Sequence, residues 1–264
     1  MSPRQPIGIF DSGVGGLSVA KKIREALPHE DIIYIADSGH APYGNKSQQF
    51  IVQRSHALVD FMLQQHAKAI VVACNTATLS AIQQLRSSFT APIIGVEPGI
   101  KPASLLTRSG VIGVMVTART AQLETFHDLV KRYGNHAKIE VQACDGLVEQ
   151  IEKGELSSEK TQALVAQYVK PLLEKNVDVI ALGCTHYPFL IPAITKIAGS
   201  NIQIIETGSA VAKQVVRRLT DEKCLVDGSF SARDIFYTTG DVAQSENLIS
   251  SLWGQTTRVL ACLI

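Results

Sequence analysis

Length, composition and charge exclude several classes of protein. The chain has 264 residues, of which 45% are hydrophobic and 19% charged, as in an ordinary globular enzyme with one large domain or two modest ones. Its 25 basic and 24 acidic residues leave a formal net charge of +1, and no basic run interleaves with aromatic residues. These features argue against disorder and against a nucleic-acid partner.

The first residues and the cysteines indicate the compartment. The start, MSPRQPIGIF, lacks the long apolar core and the cleavage site of a signal peptide, and no apolar run approaches the ~20 residues needed to cross a bilayer. We therefore expect a cytoplasmic protein with no membrane partner. An odd, widely spaced set of cysteines in a reducing compartment argues against a disulfide framework. The five cysteines are Cys74, Cys144, Cys184, Cys224 and Cys262.

Apolar runs of strand length alternate with longer amphipathic segments along the whole chain. This alternation is typical of parallel sheets covered by helices, so the sequence predicts an α/β fold. The predicted strands, in chain order, are 7–10, 32–36, 69–74, 92–97, 111–116, 139–144, 177–183, 202–206 and 235–238. Residues 47–65 and 159–175 have the length and apolar spacing of surface helices.

The chain contains no linker rich in Pro, Gly or Ser, so a domain boundary has to be a short crossover. EPGIKP near Pro98 and ETGS near Gly208 are strand ends with turn-forming residues. We therefore predict a first domain of residues 1–97 plus 208–264 and a second domain of residues 98–207. IGIFDSG and VIGVMVTART form a weak internal repeat, which fits an approximate two-fold relation between the domains.

Two cysteines follow apolar runs in matching contexts, Cys74 in AIVVACNTAT and Cys184 in VDVIALGCTHYP. Ligands of open α/β sheets bind at the carboxyl ends of the strands, so two thiols presented there predict a pair that faces one substrate. A single cysteine in such a position ordinarily serves only to pack the core. Here polar residues follow each thiol at a predicted helix start, namely Asn75 and Thr76 in one case and Thr185 in the other. A helix amino terminus lowers a thiol pKa from about 8.5, which predicts thiolate near neutral pH.

The sequence gives less support to other chemistry at these residues. Cys184 and His186 adjoin in CTH, but the ligand spacing of structural zinc and the CxxC of a redox dithiol are absent. A Cys–His hydrolase with Cys184 as nucleophile stays open, although it leaves Cys74 unexplained. Taken alone, His186 fits a structural histidine and Glu152 an exposed helix carboxylate. Asp145 directly follows Cys144, a third cysteine at the end of a predicted strand, and disfavours a thiolate there. We interpret three cysteines as structural or incidental: Cys144, Cys224 and Cys262.

Two turns carry further candidates. In DSGVGG, backbone amides after a strand can cradle an anion, but Ser18 replaces the third glycine of GxGxxG, which disfavours a nucleotide. Asp11 can meet a cation, assist a thiol or simply cap the turn, and Ser12 can meet an anion. APYGNKS is a Pro–aromatic–Gly loop beyond a strand end, which makes Tyr43 and Gly44 candidate ligand contacts.

Five segments together closely resemble the glutamate racemases of the aspartate/glutamate racemase superfamily: IGIFDSGVGGLSV, ADSGHAPYGNKS, VVACNTAT, IALGCTHYPFL and FYTTGD. The resemblance covers nearly the whole chain, and the pairing of CNTAT with GCTHYP is its most specific part. It implies two α/β domains related by a pseudo-two-fold axis, with the active site in the cleft between them. It also implies a homodimer that inverts glutamate without a cofactor or metal and supplies D-glutamate for peptidoglycan and cell shape.

The family pattern assigns roles to individual positions. It implies that Cys74 is the base acting on D-glutamate and Cys184 the base acting on L-glutamate. Asp11, Glu152 and His186 match positions that assist the thiols. The positions that match the family's substrate contacts are Asp11, Ser12, Tyr43, Gly44, Asn75, Thr76, Thr117, Thr185 and His186.

Physical chemistry is consistent with these implied roles. An α-proton is weakly acidic, so the carbanion needs a preorganised polar site, and hydroxyl groups and helix amino termini can provide it. General acid catalysis and general base catalysis each increase the reaction rate by a factor of about 10² to 10⁴. Two alternatives stay open: an aspartate racemase or another two-cysteine relative such as a maleate isomerase, and a non-catalytic amino-acid-binding protein. The thiols weigh against the binding protein, because binding glutamate requires neither of them.

Overall fold

The computed structural model describes residues 4–228 and 231–264, which form ten strands and eleven α-helices. The strands are β1 (Ile7–Asp11), β2 (Ile32–Ala36), β3 (Ala69–Val72), β4 (Ile93–Gly95), β5 (Val111–Val116), β6 (Lys138–Ala143), β7 (Val179–Leu182), β8 (Gln203–Ile205), β9 (Asp234–Thr238) and β10 (Val259–Ala261). The helices are α1 (Leu17–Ala26), α2 (Gln48–Gln64), α3 (Asn75–Ser88), α4 (Ile100–Leu106), α5 (Ala118–Gln122), α6 (Glu124–Tyr133), α7 (Leu147–Glu152), α8 (Glu159–Glu174), α9 (Ile191–Ala198), α10 (Gly208–Asp221) and α11 (Val242–Trp253).

The strands form two sheets in which every neighbouring pair is parallel. The first sheet has the order β10-β9-β2-β1-β3-β4 and the second has the order β6-β5-β7-β8. Within each sheet the carboxyl ends of the strands therefore share one edge. Phe10 pairs with Val72 and Met115 with Leu182, so the loops after β1 and β3, and those after β5 and β7, begin side by side.

The predicted fold class is confirmed, and buried apolar side chains explain it. β1, β2, β3 and β7 are buried along their whole length, as expected for parallel strands covered on both faces. One apolar cluster includes side chains from both sheets, such as Ile9 of β1 and Ile180 of β7, so the two sheets share a continuous core. Among the described residues, no helix is long and apolar enough to cross a membrane.

Most predicted elements are found close to their expected bounds. The two predicted surface helices are α2 and α8, each capped by a serine hydroxyl: Ser47 accepts a hydrogen bond from the Phe50 amide, and Ser158 accepts one from the Thr161 amide. The sequence analysis missed β10. Its three residues are too few to show a periodicity, and only pairing with β9 makes them a strand.

The division into two domains stays a prediction. It is supported by the membership of the sheets, since β1 to β4 with β9 and β10 form one sheet and β5 to β8 form the other. The boundaries proposed after residues 97 and 207 fall in the crossovers β4–α4 and β8–α10, where the chain passes between the sheets.

Candidate active site

A cavity of about 130 Å³ lies where the strand ends of both sheets meet. Its volume is below the ~300–1,000 Å³ of sites for drug-sized ligands, which suits a small, compact substrate. Loops after β1, β3, β5, β6 and β7 contribute to its wall. Nine of the predicted site residues line it: Ser12, Tyr43, Gly44, Cys74, Asn75, Thr76, Thr117, Cys184 and His186.

Cys74 reaches this cavity from the first sheet. It follows β3 and occupies the N-cap position of α3, as the sequence predicted. Its sulfur accepts a hydrogen bond from the Ala77 amide at 3.5 Å, and its thiol donates to the Ser12 hydroxyl at 3.7 Å. The two groups hydrogen-bonded to Cys74 are thus neutral and belong to its own half of the chain.

The predicted low pKa of Cys74 is wrong. Burial raises the pKa of this thiol well above its ordinary value, and the nearby Asp11 charge raises it further. The Ala77 amide and the Ser12 hydroxyl lower the pKa, but two hydrogen bonds do not replace the lost hydration of a thiolate. The raised pKa favours the thiol form of Cys74, which is a proton donor.

Cys184 reaches the same cavity from the second sheet, in a different local structure. The helix predicted directly after it is absent: a 3₁₀ turn spans Tyr187–Leu190, and α9 begins only at Ile191. The sulfur therefore lacks a helix amino terminus. Its neighbour is His186, whose Nδ1 lies 3.8 Å from Cys184 Sγ.

His186 belongs to a buried chain of titratable groups. Its Nε2 lies 2.6 Å from Glu152 Oε1, and its Nδ1 lies 3.9 Å from Asp11 Oδ2. Burial alone lowers the pKa of His186, but the hydrogen bonds to Cys184 and Glu152 and the Asp11 charge outweigh burial, and the pKa is raised well above its usual value. The imidazolium form places a cation beside the Cys184 sulfur, where it stabilises negative charge.

Glu152 connects these titratable groups to the first half of the protein. Its side chain is 17% exposed, so the interpretation of Glu152 as an exposed helix carboxylate is wrong. The Val14 amide donates to its Oε1 at 2.7 Å, and the Ser38 hydroxyl donates to its Oε2 at 3.3 Å. These two hydrogen bonds hold the Glu152 carboxylate in the orientation in which it contacts His186.

Three predicted residues stand behind the cavity wall: Asp11, Glu152 and Thr185. The fully buried Asp11 carboxylate accepts hydrogen bonds from the Gly13 amide at 3.1 Å and the Thr185 hydroxyl at 3.2 Å. Burial raises the pKa of Asp11, the neighbouring His186 lowers it, and the net shift is upward. Asp11 therefore contacts Thr185 and His186, the neighbours of Cys184. Its charge raises the pKa of the other thiol, Cys74.

Hydroxyl and amide groups form the rest of the polar wall. Thr117 caps α5 by accepting a hydrogen bond from the Thr120 amide at 3.2 Å. The hydroxyls of Thr76, Thr117 and Thr120 lie 3.1 Å from one another, which joins α3 to α5. Asn75 donates to the Val96 carbonyl at 3.3 Å. Hydroxyl donors of this kind suit carboxylate groups of a ligand.

Several lining residues were missed by the sequence analysis: Pro42, Asn45, Ala118, Cys144, Asp145, Gly146, Val148 and Glu149. Cys144 was interpreted as structural or incidental, yet it lies in the cavity wall. Its thiol donates to the Gln142 carbonyl at 3.3 Å, and burial raises its pKa well above the ordinary value, so it is a neutral group there. Its position at the end of β6 was the available signal.

The arrangement of the two thiols suits proton transfer. Among residues 4–228 and 231–264, no group of three or more His, Cys, Asp or Glu side chains is arranged to hold a metal ion. Cys74 and Cys184 open into one cavity from two different sheets, each with its own polar surroundings. Such a pair can remove a proton from a small substrate and return one to it.

Two parallel sheets that each deliver a thiol to a shared cavity are an arrangement suited to an amino-acid racemase. The sequence model of the Asp/Glu/hydantoin racemase family matches residues 7–215, and the chain belongs to this family. A glutamate racemase from Methylococcus capsulatus is 48% identical over 96% of this chain and 94% of its own length.

Solved structures with a similar fold are also glutamate racemases. Glutamate racemase isoform RacE1 from Bacillus anthracis superposes with a TM-score of 0.90 at 33% identity, covering 99% of this chain and 98% of that one. Escherichia coli glutamate racemase, in complex with L-glutamate and the activator UDP-MurNAc-ala, superposes with a TM-score of 0.86 at 32% identity. This comparison covers 98% of the present chain and 100% of the other.

Proposed function

We propose that this protein is a glutamate racemase that interconverts L- and D-glutamate through two thiols. One observation carries the proposal: Cys74 and Cys184, from different sheets, line the same small cavity. The relatives named glutamate racemase, and the bound L-glutamate of the Escherichia coli enzyme, support glutamate as the substrate.

In the L-to-D direction, Cys184 as thiolate removes the α-proton. The C–H bond breaks, its electron pair delocalises into the α-carboxylate, and an S–H bond forms at Cys184. Cys74 then donates its thiol proton to the opposite face of the carbon and becomes a thiolate. The raised pKa of Cys74 favours this role as donor. The D-to-L direction is the reverse, with Cys74 as base.

The assisting groups act through the sulfur atoms. The His186 imidazolium lies 3.8 Å from the Cys184 sulfur and stabilises its thiolate, while Glu152 holds the imidazole ring in place. Asp11 faces His186 and balances its charge. Each proton moves between the substrate and a side chain of this protein, so the proposed mechanism includes no PLP and no metal.

The polar wall binds the charged ends of the substrate. Ser12, Asn75, Thr76 and Thr117 offer hydroxyl and amide donors to its carboxylates, and the amino terminus of the 14-residue helix α3 adds a positive potential. Negative charge that develops on the α-carboxylate during proton removal is stabilised by the same donors. Thr185, which bonds to Asp11, supports this wall from behind.

The cellular role follows from the product. We propose that D-glutamate from this reaction supplies peptidoglycan synthesis in the cytoplasm and so maintains the cell wall and cell shape. We also propose that the protein works as a homodimer, as the family resemblance implies. The composition of the chain, with a net charge of +1, gives no reason to add a nucleic-acid partner.

The deciding experiment is incubation of the purified protein with L-glutamate in D₂O, without added cofactor, followed by chiral separation and mass analysis. We expect D-glutamate that carries one deuterium at the α-carbon. Cys74→Ser and Cys184→Ser should each abolish formation of the opposite enantiomer. The matched control is Cys224→Ser, because Cys224 is buried but does not line the cavity; this variant should stay active.

Other outcomes would assign a different function. If L-glutamate were unchanged but aspartate were inverted, the protein would be an aspartate racemase. If neither amino acid were inverted and Cys74→Ser bound glutamate as tightly as the wild type, the protein would be an amino-acid-binding protein.

A further inference from the structure

One fully buried carboxylate outside the thiol surroundings gathers an unusual number of partners. Asp37 directly follows β2 and has no exposed side-chain surface. Arg54 binds it in a bidentate manner, with distances of 2.6 Å from Nη2 and 3.2 Å from Nε. The hydroxyls of Tyr43 and Thr239 donate to it at 2.5 and 2.8 Å, and His40 Nδ1 lies at 3.0 Å. Five contacts occupy the lone pairs of both oxygens.

This carboxylate lies behind a turn that lines the cavity. Tyr43–Asn45 is a 3₁₀ turn, and all three residues belong to the cavity wall. Tyr43 lines the cavity, and its hydroxyl donates a hydrogen bond to Asp37. Gly44 lies beside Thr117, since a Cβ atom at Gly44 would be in van der Waals contact with the Thr117 Cβ, at 3.4 Å. A small displacement of this turn would therefore change the cavity.

The same carboxylate connects distant segments of the first sheet. Arg54 lies on α2 and also donates to the backbone carbonyl of Ile264 at 3.0 Å. Thr239 follows β9, in the FYTTGD segment to which the proton-transfer mechanism gives no role. Asp37 thus ties the turn to α2, to the loop after β9 and to the last residue of the chain.

We propose that Asp37 is a positioning residue for substrate binding, which acts through Tyr43 to hold the Tyr43–Asn45 turn against the substrate. This inference rests on the proposed racemase function. Asp37 does not touch the cavity, so its effect is confined to the placement of the turn. Because the turn lines the cavity but supplies neither thiol, Asp37 affects binding in the ground state and the transition state alike.

The test uses Asp37→Asn in the full-length protein, with KM and kcat measured for both enantiomers. An asparagine presents an NH₂ group where Tyr43 or Arg54 donates, so at least one charge-assisted hydrogen bond is lost. We expect KM to rise about tenfold for both enantiomers, while kcat changes less than about threefold. Tyr43→Phe keeps the ring and removes only the hydroxyl, and we expect about a threefold rise in KM.

Asp178→Asn is the matched control. Asp178 also clamps a loop, accepting from the Thr107 hydroxyl and from the amides of Arg108 and Ser109, but it does not line the cavity. This variant should lower the thermal unfolding temperature and leave KM unchanged. A purely structural role for Asp37 would make the two aspartate variants behave alike.

Three results would overturn the proposal: an unchanged KM in Asp37→Asn, a loss confined to kcat, or an equal effect of Asp178→Asn on KM. If Asp37→Asn does not fold, Tyr43→Phe decides the question by the same criterion. Calorimetric titration with racemic glutamate, which is already at equilibrium, separates this inference from the proposed function. A wild type that binds glutamate without inverting it contradicts the racemase, and unchanged affinity in Asp37→Asn contradicts the positioning role.

Discussion

The two thiols share a cavity but have different surroundings. Cys74 caps a helix and contacts a backbone amide and a serine hydroxyl, all neutral groups. Cys184 lies in a loop without a helix start and contacts His186, which is paired with Glu152. The two halves of the fold therefore repeat the strand-to-thiol connection without repeating the acid–base chemistry around the sulfur.

The difference between the two thiols does not affect every kinetic quantity. L- and D-glutamate have equal free energies, so kcat/KM is the same in both directions for the wild type and for every variant. An asymmetry of the two thiols is visible only in the individual proton-transfer steps. Primary isotope effects from 2-deuterio-L-glutamate and 2-deuterio-D-glutamate separate these steps, because in the proposed mechanism Cys184 removes the deuterium of L-glutamate and Cys74 that of D-glutamate.

The largest expected effect comes from His186→Gln. Removing the imidazolium leaves the Cys184 thiolate without its cationic neighbour, and we expect kcat/KM to fall by about 10² to 10³ in both directions. The isotope effect should grow for deuterated L-glutamate and shrink for deuterated D-glutamate. Equal growth of both isotope effects would contradict the assignment of His186 to Cys184 alone.

Glu152→Gln should have a smaller effect of the same kind. The variant keeps the shape of the side chain and a hydrogen bond to the ring but loses the charge, which corresponds to a decrease of about ten- to a hundredfold in kcat/KM. The isotope effect should again grow only for deuterated L-glutamate, in a stopped assay at saturating substrate. Without the carboxylate, the pKa of His186 should fall, which an NMR titration of the ring would detect.

Ser12→Ala tests the other thiol. Loss of one neutral hydrogen bond near the Cys74 sulfur should reduce kcat/KM by about two- to tenfold. Here the isotope effect should grow for deuterated D-glutamate, the opposite of the Glu152 result. If both variants shifted the same isotope effect, the two surroundings would act as a single unit and the comparison would fail.

The smallest effect on activity is expected from Asp178, which lies outside both thiol surroundings. Burial alone raises the pKa of Asp178, but hydrogen bonds from Thr107 and from the amides of Ser109 and Arg108 outweigh burial and hold it at about 2. Because this folded-state pKa is depressed, the stabilisation is complete above pH ~4 and is lost as the pH falls towards ~2.

Denaturant unfolding should show this dependence directly. We expect Asp178→Asn to lower the free energy of unfolding by about 1–2 kcal/mol at pH 7 and to have less effect near pH 2. Racemase activity at pH 7 should be unchanged. Activity loss in proportion to stability would mean that the effects at His186, Glu152 and Ser12 also need correction for unfolding.

The pattern of strands was predictable because it depends on local composition. Buried parallel strands are continuous apolar runs, and these gave the elements that deliver Cys74 and Cys184 to the cavity. β10 was not predictable on the same ground, because its three residues become a strand only by pairing with β9. Asp37 gave no signal either, since its partners come from α2, from a turn and from the loop after β9.

The sequence by itself determined the α/β class, the positions of both thiols at strand ends and most of the polar residues beside them. Each depends on residues close together in the chain. Only the tertiary structure decided that burial raises the pKa of Cys74 and that Glu152 reaches His186. The physical reason is that pKa values and buried ion pairs depend on desolvation and on distances between segments far apart in sequence, which local patterns do not encode.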